Sequence, residues 1–160
     1  MPEGCFHYKN TFYFHTTHQV VSWEIDENLR INFSSIYLHK ENNAFVPRFH
    51  VRAIFVDKNG ILLSVGGMVT NRHNGITFEK QTSFIREISF KGEIIQDIGR
   101  NTKAGSTWSQ RIIKQICRRG DLVISLAFDD ITYNIDIAKC WNLKIGKCIR
   151  IGWTMRNYSP

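Results

Sequence analysis

Acidic side chains are scarce where basic ones are dense. Residues 101–160 hold four acids (Asp121, Asp129, Asp130, Asp136) against ten Lys/Arg, which places +6 of the chain's +7 net charge in its last sixty residues. Long apolar runs are also missing. The longest, Leu122 to Leu126, is broken by Ser125, far short of the about 20 residues a membrane helix needs. The four cysteines (Cys5, Cys117, Cys140, Cys148) contain no Cys-x-x-Cys pair. With the polar start Met1-Pro2-Glu3-Gly4 no secretory signal is expected. Reduced cysteines and an intracellular place, cytoplasmic, nuclear or peripheral at membranes, are therefore expected.

Catalytic signatures are equally missing. There is no Gly-x-Ser-x-Gly elbow, His-Glu-x-x-His helix, Walker lysine loop or dinucleotide glycine fingerprint. Cys5, His7, His15 and His18 lie close in sequence, but Cys5 and His7 are one residue apart rather than forming a tight pair, so neither metal nor cofactor is expected. Asp129-Asp130 is explained by a turn, and Arg119-Gly120-Asp121 by the end of a helix.

What is present is period-two alternation. Cys5 to His15 and Val20 to Ile25 suit strands. Leu29, Ile31, Phe33 and Tyr37 share one parity, as do Phe49, Val51, Ala53 and Phe55. Asn59-Gly60 is expected at the centre of a type I′ hairpin turn, with Gly66-Gly67 as a bulge or bend in the next strand. Asn71 to Gly75 makes a looser turn, Glu93 to Ile98 a short strand, and Gly146-Lys147 a turn or bulge. Most aromatic rings fall on the apolar parity and are expected in the core; Tyr8, Tyr13 and Trp108 are the expected exposed ones.

One segment breaks the alternation. Thr107 and Gln110 have capping-box spacing, Gly120 stands where a helix C′ glycine belongs, and Ile112, Ile113, Ile116 and Cys117 recur at about 3.6 residues. The expected fold is a mainly β single domain over 1–160, an antiparallel β-sandwich or partly open barrel, with one amphipathic α-helix at about 108–119. Cys117 is then a core residue.

On such a helix Arg111, Lys114, Arg118 and Arg119 form a basic stripe, and Lys144, Lys147, Arg150 and Arg156 add charge of the same sign nearby. A concentrated positive field attracts polyanions. The expectation is a non-enzymatic structural or interaction protein that binds RNA, a ribonucleoprotein or an anionic membrane surface, as viral matrix-type proteins do, with RNA favoured as partner. Arg48, His50 and Arg52 make a possible second stripe, though an ordinary solvent face accounts for them. Two alternatives belong to other classes. One is a metal-dependent nuclease with Glu24, Asp26 or Glu27 as ligands; the other is a β-sandwich that binds proteins or forms homo-oligomers through its edges. No small-molecule substrate is evident.

Overall fold

Residues 5–40, 49–100, 112–128 and 135–151 are described by the computed structural model, and within them every regular element is a strand. The strands are β1 (Cys5–Tyr8), β2 (Thr11–His15), β3 (Gln19–Ile25), β4 (Ile31–Leu38), β5 (His50–Asp57), β6 (Gly60–His73), β7 (Ile76–Ile88), β8 (Ile94–Ile98), β9 (Ile113–Arg119), β10 (Leu122–Phe128), β11 (Ile135–Asn142) and β12 (Lys147–Ile151). They form three antiparallel meanders, β1-β2-β3-β4, β5-β6-β7-β8 and β9-β10-β11-β12.

The middle sheet is apolar on both faces, and that decides the layering. Along β6, Ile61, Leu63 and Val65 pack with Tyr13, Val20 and Tyr37 of the first sheet. Leu62, on the opposite parity, packs with Ile113, Ile116, Val123 and Trp141 of the third. Residues 60–67 are thus buried on both sides, and the sheets stack face to face as in a β-sandwich, here with two cores.

The expected helix is not present over 113–119, which form β9, paired antiparallel with β10. Trp108 and the capping pair Thr107 and Gln110 lie outside the described residues. The physical reason is a β-bulge. Leu126 pairs with Gln115 and Ala127 with Ile113, which leaves Lys114 as the extra residue. A bulge stretches the inward spacing from two residues to three, so Ile113 and Ile116 both turn inward at a separation that imitates a helix. Gly120 has φ +60, but as the first residue of the two-residue loop joining Arg119 to Leu122. Cys117 is exposed on the outer face rather than buried.

Other bulges redirect side chains in the same way. Val51 pairs with Val65 and Ala53 with Ser64, so Arg52 is extra. Val51 accordingly joins one core and Ala53 the other, where simple alternation puts them on one face. Ile36 is extra between Tyr37 and Ser35, which buries Tyr37 while Phe33 is 63% exposed. Gly66-Gly67 is not a bulge: the β6–β7 ladder runs without a shift from Ile61↔Ile88 to His73↔Ile76.

Two turns exchange roles. Asp57 pairs with Gly60, so Lys58-Asn59 is the loop, fastened where the Asp57 carboxylate accepts the Asn59 N–H at 2.9 Å. The double positive φ of a type I′ turn occurs instead at Asn74 (φ 50) and Gly75 (φ 79). Tyr13 is buried and Tyr8 half-buried against Phe90. Among the described residues no helix is long and apolar enough to cross a membrane, and all four cysteines are free thiols.

Candidate polyanion-binding face

Because 113–119 form a strand, alternate residues of this segment face opposite ways, and its bases divide between two environments. Gln115, Cys117 and Arg119 point away from the core; Ile116 and Arg118 point into it.

Arg118 is the residue most changed by this. Its side chain is 1% exposed. It holds Asp57 through two bonds, Nε to Oδ2 at 3.0 Å and Nη2 to Oδ1 at 2.6 Å, and donates from Nη1 to Glu87 Oε1 at 3.0 Å. Gln96 Nε2 donates to the other Glu87 oxygen at 2.8 Å. Burial pushes the Asp57 carboxyl up, but the Arg118 hydrogen bond, the Asn59 N–H and the neighbouring positive charge hold it below the ordinary value. Arg118 therefore ties the third sheet to the middle one and is not among the outward-facing bases.

The remaining outward residues fall into cross-strand rows. Register places Arg119, Leu122, Asn142 and Lys147 in one row, and Cys117, Ile124, Cys140 and Arg150 in the next. A third row carries Gln115, Leu126 and Ala138. None of these residues is acidic. Arg119 stands on one edge strand and Lys147 and Arg150 on the other, about 14 Å apart by strand spacing. Leu122 and Ile124, 43% and 40% exposed, lie between them. Ile149 and Ile151 are exposed on β12. Lys144, in the turn before β12, has its Nζ 3.9 Å from Asp121 Oδ2, both well exposed, a geometry worth little in water.

Of the other expected residues, Arg111, Arg156 and Arg48 lie outside the described residues. Lys114 is half-buried at its bulge. His50 stacks on His18 with ring centroids 4.8 Å apart. Arg52 donates from Nε to Gly66 O at 3.3 Å. Lys139 opposes the buried Ser125, and its ammonium lies over the Trp141 ring at 5.6 Å. Burial pulls the Lys139 pKa down, with the Cys148 thiol only partly opposing.

The first sheet shows a second, chemically different face, which alternation alone does not find. Row by row, His7, Phe12, Trp23 and Phe33 line up across all four strands. Trp23 meets Phe14 and Phe33 edge-on, at 4.8 and 4.6 Å. Many of the aromatics expected in the core therefore lie on an outer surface.

Among the described residues no three His, Cys, Asp or Glu side chains converge to hold an ion. The Asp26 carboxylate accepts the backbone N–H groups of Asn28 and Arg30, both at 2.9 Å, which makes it a loop fastener. Comparison with protein-family models and with curated proteins gives no match.

Proposed function

We propose that this protein is a non-enzymatic interaction module that docks on an anionic membrane surface through the outer face of its third sheet. The observation carrying this reading is the pair of cross-strand rows in which Arg119, Lys147 and Arg150 flank exposed Leu122 and Ile124, with no acidic residue in either row. Bases attract the headgroup layer, and aliphatic side chains between them enter its apolar boundary. An RNA platform needs rings on which bases stack, and this face has none among the residues of its rows. RNA is thus the second reading, favoured by the same charge but lacking the aromatic partners.

The test is sedimentation with phosphatidylserine-containing vesicles and with neutral phosphatidylcholine vesicles, alongside binding to single-stranded RNA, each across a salt series. Each base near an anionic surface contributes about 1 kcal/mol. The triple variant R119Q/K147Q/R150Q is therefore expected to weaken vesicle binding on the order of 100-fold. Equal binding by the variant removes this face from the site. Salt-sensitive binding to RNA without binding to vesicles transfers the proposal to RNA.

A further inference from the structure

Two of the chain's bases stand at β-bulges, and both bulges open on the same cavity. Arg52 is the extra residue of β5 and Lys114 the extra residue of β9. These are the facing edge strands of the middle and third sheets. A bulge re-aims the side chain it carries, and both conformations are fastened by bonds from other elements. Ile113, beside Lys114, donates its N–H to Ser83 Oγ at 3.2 Å and accepts from Ser64 Oγ at 2.6 Å, all buried. Val51, beside Arg52, donates its N–H to Thr17 O at 2.8 Å. Strand distortions held in this way are built into the fold.

The cavity they line has a volume of about 390 Å³, within the range of pockets that hold small organic ligands. Its polar side carries the bases Arg52 and Lys114 and the buried His15, with no carboxylate among the described lining residues. Its other walls are apolar, formed by Phe6, Ile54, Ile116 and Leu126. Gln115 and Cys117, both exposed, stand at the lining where it reaches solvent. A wall that is basic at one part and hydrocarbon over the rest matches a ligand with the same division.

We infer that this cavity binds one single-chain anionic amphiphile, a long-chain carboxylate or alkyl phosphate. Arg52 and Lys114 take the headgroup, and the chain lies against Phe6, Ile54, Ile116 and Leu126. Such a ligand sets its charge beside the two bases and its hydrocarbon against the apolar wall. The site uses none of Arg119, Lys147 and Arg150, so those three bases separate it from membrane docking, although Ile124 lines the cavity and also belongs to the docking face.

The test is calorimetric titration of the full chain with dodecanoate and with dodecyl phosphate, both below their micellar limits. Dodecanol and inorganic phosphate serve as the two half-ligands. Binding of one molecule per chain by either amphiphile is expected, at least tenfold tighter than by either half. The ligand should also slow alkylation of Cys117 by a maleimide, read by mass spectrometry, while Cys5 on the first sheet reacts unchanged. R52Q and K114Q should each weaken binding about tenfold. C117F, which narrows the mouth without touching the bases or the core, should weaken it with the thermal midpoint unaltered. R119Q/K147Q/R150Q should bind the amphiphile like the parent. The inference is overturned if dodecanol binds as well as dodecanoate, if uptake is multiple and unsaturable, or if Cys117 reacts at the same rate with and without ligand.

Discussion

Replacing Arg118 by Met tests whether charge in the last third of the chain serves the fold or a surface. Met keeps the unbranched apolar stem and removes the guanidinium. Three charge-assisted hydrogen bonds disappear, and two carboxylates that are 23% and 13% exposed, Asp57 and Glu87, lose their counter-charge. Breaking a buried ion pair from one side costs about 3–5 kcal/mol. Residual hydration of Asp57 and the Gln96 bond to Glu87 place this variant near about 3 kcal/mol. For a chain of this length that lowers the thermal midpoint by about 6–12 °C.

The pH dependence fixes the cause. Asp57 titrates below its ordinary value of 3.8 when folded. Its stabilising contribution is therefore fully present above that value and is lost as the pH falls through the folded pKa. Without Arg118, burial still pushes Asp57 up and only the Asn59 N–H and the Lys58 charge oppose it, so its pKa rises relative to the parent and protonation costs the variant less than it costs the parent. The stability gap measured by urea unfolding should be widest at pH 7 and close toward pH 3. The second substitution D57N should restore part of the loss at pH 7. Binding to anionic vesicles should keep its salt slope. A gap under about 1 kcal/mol, a gap independent of pH, or a reduced salt slope would show that Arg118 is not the buried tie described here.

Three further outcomes are expected. Gly92 has φ +83, and a Cβ there overlaps the carbonyl of the bulged Ile36, so Gly92→Ala should cost about 2–5 kcal/mol in urea unfolding. Gly120, at φ +60 with open space around it, should cost only about 1–2 kcal/mol as Ala; equal losses would contradict the close approach at Ile36. Asp97 is pushed up by burial but held below 3.8 by Arg86, which it grips at 2.7 and 2.8 Å, and by Arg100. Its contribution is present above that value and lost below it, so Asp97→Asn should lower stability at pH 7 and flatten the acid limb of the unfolding profile.

Strands and most turns were legible because each sheet face needs one parity of side chains. The short strand β8, the Gly146 turn (φ 64) and the hairpin at Asn74-Gly75 all follow from local residues. The helix expectation failed because two local signals have two structural meanings. A glycine at positive φ ends a helix or makes a hairpin loop equally well. Ile113 and Ile116 are three apart in a helix turn and also across a bulge. The signals for the strand were the β-branched Ile112, Ile113 and Ile116 and the placement of Gly120-Asp121 between two apolar segments. Arg118 was beyond reach. Its acceptors Asp57 and Glu87 stand 61 and 31 residues away, and no local pattern assigns a base to carboxylates so remote.

The positions where alternation fails are therefore not a random sample of the chain. Natural sequences break local rules where another requirement outweighs regularity, and such places collect at functional sites. Arg52 and Lys114 are two such failures, on strands from different sheets, and both line one basic and apolar cavity. Had either strand been regular, its base would occupy an ordinary strand position, and the spacing that disguised β9 as a helix would not arise. The same inserted residue that obscures the fold in the sequence creates the candidate ligand site, so restoring regular pairing should abolish both. Deleting Lys114 is the direct form of that experiment: without the extra residue, inward Ile113 and outward Gln115 become neighbours in simple alternation, and the ladder with β10 runs on without a shift. A chain that still folds but no longer takes up dodecanoate would join the bulge to the site. Undiminished uptake by a folded deletion variant would separate them.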